Sequence, residues 1–494
     1  MPLRCTSPQS RSGRNRGGRR AMGDSVVSTG EADTGARPAA GYADRLRAVL
    51  LAQDGVARVE ITGDRPLSVR IDVAERIRED ALARHLDDVD QVFGMMVETS
   101  EADHDTSLDT SVWVSGITRQ PMDTEVMREW VDATVAAITE LRPRRVLEIG
   151  CGTGLLLSRI APDCDRYVGT DISDRVLARL LANLDRTGGR PNGLHTLRRP
   201  AHDLSGIDGP FDVVVVNSVV QYFPSVPYLW SVLDSAWDLL APDGVLFVGD
   251  VRSQPLLTAY HAESVLATAP RAPAAQVLAH ARRRAAQDPE LVISPELFSR
   301  WADRHPDAAG VDARLKRGGD NELTRYRYDV FLPRSTATLP FVQELPWAEL
   351  QDAEERWPAL VGDRSVSLVL DVPNPRLSGL PPQAVAAVGG AAGRARADRA
   401  AGFVDGLRAA GGTVHLRWPR SQRPGLLDVV VGGPGTTPRD LLRPSRLRSD
   451  AELSQLASDP VLSRLTATLE RRWHKAVLGA LPEPHPHLDY DIRS

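Results

Sequence analysis

From Val146 to Leu157 the chain reads VLEIGCGTGLLL, an apolar run ending in an acidic residue and three alternating glycines. Gly150, Gly152 and Gly154 allow a sharp turn and leave bare N–H groups against which a ligand can lie before a helix starts. An adenosine-containing cofactor is the occupant this chemistry predicts. A dinucleotide fingerprint needs glycine at the first, third and sixth positions, and here the sixth is Leu155. Glu148, just upstream, would repel a pyrophosphate and suits a cationic group instead. The plainer alternative is a tight strand-to-helix connection that holds no ligand.

A second acid strengthens the cofactor reading. Asp171 lies twenty-one residues beyond Gly150, at the end of the apolar run Arg166 to Thr170, where a carboxylate can accept hydrogen bonds from both ribose hydroxyls. Ile172 beside it is assigned to the same cofactor face. Asp171 could instead cap the helix that starts in TDISD, but Ser173 and Asp174 are available for that role. Asp203, in PAHDLS, is expected at the adenine rim, and Asn217 at the C-terminal end of the apolar run Phe211 to Val216, where open α/β sheets line their ligand crevice.

The elements that must hold these residues alternate as in a parallel, doubly wound sheet. A helix over Asp123 to Leu141 precedes strands at Arg145 to Ile149, Arg166 to Thr170, Phe211 to Val216 and Val245 to Gly249, with a helix over Pro227 to Leu240 before the last. An antiparallel pair, Val311 to Arg317 and Thr324 to Leu332, is expected to close the sheet. The roughly sixty mostly helical residues before that pair are expected to form a lid. Upstream, Ala43 to Leu51 and Glu75 to Val97 read as helices and Ala57 to Ala74 as two short strands around a Gly-Asp turn.

Composition narrows the setting. A net charge of −5 and a pI near 6.2 leave no electrostatic footprint for nucleic acid. Cys5, Cys151 and Cys164 have neither the number nor the spacing of a disulfide framework or zinc site, so no metal and a cytoplasmic, reducing compartment are expected. No apolar run is long enough for a membrane span. All but two of the 60 basic residues, Lys316 and Lys475, are arginine, which fits codon bias in a GC-rich bacterial genome better than thermal adaptation. Residues 1–23 hold six arginines and no acid, which predicts a disordered tail, with a transit peptide or an upstream start before Met22 as alternatives.

The Gly-x-Gly-x-Gly turn with its upstream Glu148 resembles motif I of class I S-adenosylmethionine (SAM) methyltransferases. Further segments make the resemblance specific: MREWVDAT (127–134), LRPRRVLEIGCGTGLLL (141–157), NSVVQYFPSVPYL (217–229), FVGDVRSQPLL (247–257), LKRGGDNELTRYRYDV (315–330) and VPNPRL (372–377). Together they resemble the methyltransferase domain embedded in the adenylation domains of nonribosomal peptide synthetases, over about residues 90–433. The flanks at 42–74 and 456–487 are similar to adenylation-domain remnants, but the large ATP-binding portion is absent, so the chain is not expected to activate amino acids. The resemblance implies a Rossmann-like, seven-stranded class I methyltransferase sheet with a helical lid insertion and small α/β flanking modules. The expected layout is a tail (1–41), a small α/β module (42–110), the methyltransferase core with its lid (111–340), a trailing α/β module (341–435) and a helical tail (436–494).

One stretch departs from the family. Where the family reads GWNSSYTGEPI, this chain has VWVSGITRQPM (112–122), so an Asn and a Tyr that would close over the site are replaced by Val114 and Ile117. The implied reaction is methylation of the amine of an amino acid or peptidyl unit, free or bound to a carrier protein. Methylation of carbon or oxygen on a free intermediate, and an idle domain kept for docking, are the alternatives. An amine must present its lone pair, so a group that orients it or takes its proton is expected. Asp250, His261, Asn321, Glu322 and Tyr328 are the candidates, four of them with a structural alternative: pairing with Arg252 for Asp250, a satisfied helix-face position for His261, strand packing for Tyr328 and a solvated turn for Glu322. The run Arg439, Arg443, Arg446 and Arg448 could dock an acidic carrier or form a solvated face.

Overall fold

A computed structural model of the chain describes residues 40–63, 67–99, 108–110, 113–335, 341–362, 365–387, 394–442, 444–447, 450–481 and 488–493. The arginine-rich stretch 1–23, Arg443 and Arg448 lie outside these residues.

The described chain opens with helix α1 (Ala40–Leu51), strands β1 (Val56–Thr62) and β2 (Leu67–Val73), and the long helix α2 (Glu75–Thr99). The central region follows as α3 (Thr124–Thr139), β3 (Arg145–Ile149), α4 (Leu157–Ile160), β4 (Arg166–Asp171), α5 (Asp174–Thr187), β5 (Leu194–Arg198), β6 (Phe211–Asn217), α6 (Val226–Asp238) and β7 (Leu240–Arg252). Helices α7 (Leu257–Thr268), α8 (Ala274–Ala286) and α9 (Pro295–Asp303) then lead to β8 (Asp312–Leu315), α10 (Glu322–Tyr326) and β9 (Arg327–Pro333). The trailing part contains β10 (Phe341–Pro346), β11 (Val366–Pro373), α11 (Pro382–Ala387), α12 (Arg394–Ala409), β12 (Thr413–Arg417) and β13 (Leu426–Gly432). The chain closes with α13 (Leu453–Leu456), α14 (Pro460–Ala480) and β14 (Leu488–Arg493).

The main sheet runs β10-β11-β13-β12-β8-β9-β7-β6-β3-β4-β5. Its seven strands from β8 to β5 are the doubly wound core, parallel except where β9 runs antiparallel to both β7 and β8. β6, FDVVVVN, is buried along almost its whole length, as expected of a central strand covered on both faces. The expected antiparallel pair is present, but Glu322–Tyr326 is a short helix, because Asn321 accepts the N–H groups of Leu323 and Thr324 and so caps a first turn. Four more strands extend the sheet beyond β8, joined there by the single pair Arg417↔Arg314.

The two flanks share one module. β14 pairs in parallel with β2 from Leu488↔Leu67 to Arg493↔Asp72, and Leu46, Leu50, Val69 and Ile71 pack with Trp473 and Val477. From this module α2 reaches back onto the core, where His85 Nε2 lies 2.7 Å from the Tyr222 carbonyl and Asp90 pairs with Arg198. The helical insertion forms α7, α8 and α9, whose Ala262, Val277, Ala281, Leu297 and Trp301 are buried in the main core.

Candidate active site

The C-terminal ends of β3, β4 and β6 open onto a cavity of about 270 Å³. Glu148, Gly150, Gly152, Asp171, Ile172 and Asn217 all line it. These residues sit far apart in the sequence yet meet because parallel strands place their C-terminal ends at one edge of the sheet.

Each does something definite there. Gly152 adopts φ +54, and a Cβ built on it would meet no atom within 4 Å, so its open side faces the cavity. Asp171 Oδ2 accepts the Gly152 N–H and Oδ1 the Ser173 N–H, both at 3.0 Å, so one carboxylate ties the turn to the start of α5. Ser173, expected to cap that helix, occupies the N-cap position without a side-chain bond. Burial raises the Asp171 carboxyl above its ordinary value. Burial also pushes Glu148 up to about 8, with Asp171 adding to it and the hydrogen bond from the Tyr167 hydroxyl, at 2.7 Å, opposing it. Asn217 Oδ1 is buried with no partner among the described residues. An orphaned acceptor, a buried carboxyl whose ionised form a nearby cation would favour, and an open glycine face form an acceptor set that fits a cationic amino acid end of a nucleoside cofactor.

Two expected cofactor residues do not line this cavity. Gly154 has φ +88 and a Cβ there would lie 2.2 Å from Leu180 Cδ1, so it serves close packing of the turn on α5. Asp203 turns back on its own loop, accepting Ser205 N–H at 3.1 Å and Ser205 Oγ at 2.6 Å, while Arg199 and Ala201 of that loop face the cavity.

None of the five residues expected on the acceptor side lines the cavity either. Asp250 is fully buried at φ +62, inside the register break between Val248 and Val251. Its N–H donates to Asp329 at 2.8 Å, its carboxylate accepts Trp130 Nε1 at 2.8 Å and pairs with Arg327, and Lys316 Nζ lies 3.7 Å away. Arg252 is not its partner but bonds Asp288, at 2.7 and 3.0 Å, and Glu290, at 2.8 Å. His261 Nε2 lies 2.9 Å from Asp288. Asn321 is the cap of α10. Glu322 accepts Ser115 Oγ at 2.5 Å and Gly116 N–H at 3.0 Å, fastening the stretch that departs from the family. Tyr328 is buried and donates its hydroxyl to the Ile293 carbonyl at 2.9 Å. The chemistry of these side chains is consumed by structure, which residue type and position along the chain do not reveal.

The cavity's other end is built from Trp113, Val114, Trp130, Tyr222, Glu290 and Arg327. Trp113 packs on Trp130 at 4.7 Å between ring centroids, and the Arg327 guanidinium lies 5.9 Å from the Trp113 ring. Burial, then Glu290, pushes the Tyr222 hydroxyl up to about 12. Burial opposes charge on Arg327, yet Asp250 and Glu290 outweigh it and hold the guanidinium above its ordinary value. Val114 lines the mouth at 54% exposure, whereas Ile117, the other departure, is buried in the core. α2 covers the cavity with Leu86, Val89, Phe93 and Val97, and Phe93 meets Tyr222 edge-on at 4.9 Å. Trp130, Tyr222 and Arg327 fall inside the quoted family segments and Trp113 is a shared residue of the departing stretch 112–122, so attention to their aromatic and cationic side chains could have found them; Glu290 and the α2 residues carry no motif.

A family model described as a methyltransferase domain matches residues 147–246. Chondramide synthase cmdD of Chondromyces crocatus is 31% identical over 439 residues, 82% of this chain and 11% of that protein. A probable non-canonical nonribosomal peptide synthetase, CymA of Salinispora arenicola, is 38% identical over 343 residues, 67% of this chain and 4% of that protein. The chain thus spans about a tenth or less of these curated relatives. Among solved structures, the N-methyltransferase NodS of Bradyrhizobium japonicum is matched over 46% of this chain and 97% of its own, with 17% identity and a TM-score of 0.32. The chain carries a methyltransferase domain, and over most of its length it is similar to segments of nonribosomal peptide synthetases. Among the described residues no helix is long and apolar enough to cross a membrane.

Proposed function

We propose that this chain methylates the amine of an amino acid or peptidyl unit, free or carried as a thioester on a carrier protein, in the biosynthesis of a nonribosomal-peptide-like product. One observation carries the reading: a single cavity runs from the glycine turn and Asp171 to a carboxylate and a guanidinium, Glu290 and Arg327, at the far side of β6. SAM, when bound, supplies a methyl on a sulfonium sulfur that keeps the bonding electron pair as the acceptor's lone pair makes the new bond. Asp171, Glu148, Asn217 and Ile172 hold the cofactor end, with Gly152 giving it room. α2, Trp113 and Trp130 wall the cavity from water and keep the reactants at near-attack distance. Two relatives that are synthetases by name, aligned over most of this chain, supply the pathway context.

The test is mass spectrometry of the full chain with SAM and a panel of aminoacyl thioesters, on N-acetylcysteamine and on carrier protein, beside the matching α-hydroxyacyl thioesters. A gain of one methyl on nitrogen of an aminoacyl member is the expected result. Methyl transfer only to hydroxyl or carbon would replace this reading with the oxygen or carbon alternative. Absence of SAM binding by calorimetry would leave an idle scaffold.

A further inference from the structure

We infer that Glu290 is the residue that receives the acceptor amine, a role that rests on the N-methylation reading above. Of the acidic side chains around the β7 and β9 ends, Asp250, Asp288 and Asp329 are buried and engaged by Arg327, Arg252 and Lys316. Glu290 differs from them. It lines the cavity, its side chain is 33% exposed, and among the described residues only Oε2 is hydrogen-bonded, by Arg252. Arg252 itself is shared, because Asp288 takes it at 2.7 and 3.0 Å and is in turn held by His261. Two carboxylates therefore draw on one guanidinium, and Glu290, the one on the cavity, keeps acceptor capacity for a further N–H donor.

Placement agrees with charge. Asp171 ends β4 and Arg327 starts β9, four strand steps apart across β3, β6 and β7, about 19 Å at ~4.8 Å per step. A cofactor held by Asp171, Glu148 and Asn217 would occupy the β4, β3 and β6 side of the cavity, which leaves the Glu290 end for the nucleophile. An amine N–H donated to Glu290 aims the nitrogen lone pair back toward the turn. The proton that nitrogen sheds on methylation passes along that bond to the carboxylate and from there to water. His261, Asp288 and Arg252 act through Glu290 by fixing where its carboxylate points, so they are positioning residues.

The experiment uses the full chain as Glu290→Gln and Glu290→Asp, with SAM affinity by calorimetry, thermal midpoint, and kcat and KM on the aminoacyl thioester panel. Glutamine can still accept from Arg252 through its carbonyl oxygen but turns a donor toward the amine. The expected result for Glu290→Gln is a loss of about a hundredfold in kcat/KM, with SAM affinity and midpoint unchanged and part of the activity kept by Glu290→Asp. Wild-type turnover by Glu290→Gln on an aminoacyl member, or equal losses of turnover and SAM affinity, would overturn this role and leave N-methylation standing. A wild-type protein that yields no N-methylated product overturns the N-methylation reading, and this role with it.

Discussion

The two ends of the cavity are made in opposite ways. The proposed cofactor end comes mostly from a compact stretch, Glu148 to Ile172, in which two neighbouring strands and one turn place all its groups but Asn217, which β6 adds. The proposed acceptor end draws on Trp113, Trp130, Tyr222, Glu290 and Arg327, spread over more than two hundred residues. It rests on a buried ionic floor of Asp250, Lys316, Asp329 and Arg327. A ligand site made by local backbone geometry needs few residues and tolerates change elsewhere. A site assembled from distant segments must spend strong polar residues on holding itself together, and those residues look catalytic in a linear chain.

The sharpest break of this contrast is Asp250→Ala, which leaves Arg327 and Lys316 buried without a shared counter-charge. The expected cost is about 3–5 kcal/mol of stability, read by urea denaturation, while whatever remains folded binds SAM with wild-type affinity. A stable Asp250→Ala protein that had lost only turnover would instead put Asp250 back among the reacting groups.

Next in size is Asp171→Ala at the cofactor end. It removes the acceptor of the Gly152 and Ser173 N–H groups as well as the proposed ribose partner, and SAM binding should weaken by about 2–3 kcal/mol, on the order of a hundredfold in Kd. Calorimetry with unchanged SAM affinity would remove the ribose from this position.

The smallest expected effect is a pH dependence carried by Glu148. Its carboxyl is raised from 4.5 to about 8 in the fold, so the unliganded protein holds its proton more tightly than the unfolded chain does. That contribution to stability is complete below pH 4.5 and is lost as pH rises through about 8. Glu148→Gln, which can keep the Tyr167 hydrogen bond, should flatten the fall in thermal midpoint between about pH 4.5 and 8. A variant that kept the full slope would assign the titration to another group.

How far the site could be read from the chain follows the same division. Apolar runs ending in Glu148, Asp171 and Asn217 were legible because strand period and glycine spacing are local. Gly154 and Asp203 sit within those patterns yet face elsewhere, since which side of a turn a residue presents depends on the helix packed behind it, here Leu180 of α5. The cover was least legible: α2 reads as an ordinary amphipathic helix, and only the module that joins β2 to β14 brings its Phe93 over Tyr222.

By itself the sequence determined the doubly wound core, the turn and the acid that follows it, because backbone conformation and burial periodicity are set within a few residues. Only the tertiary structure decided which charges were free. Asp250, Glu322 and Tyr328 have partners 77, 207 and 35 positions away, at Arg327, Ser115 and Ile293, whereas Glu290 keeps an edge toward the cavity. A carboxylate's chemistry is settled by what else reaches it, and that is a property of packing.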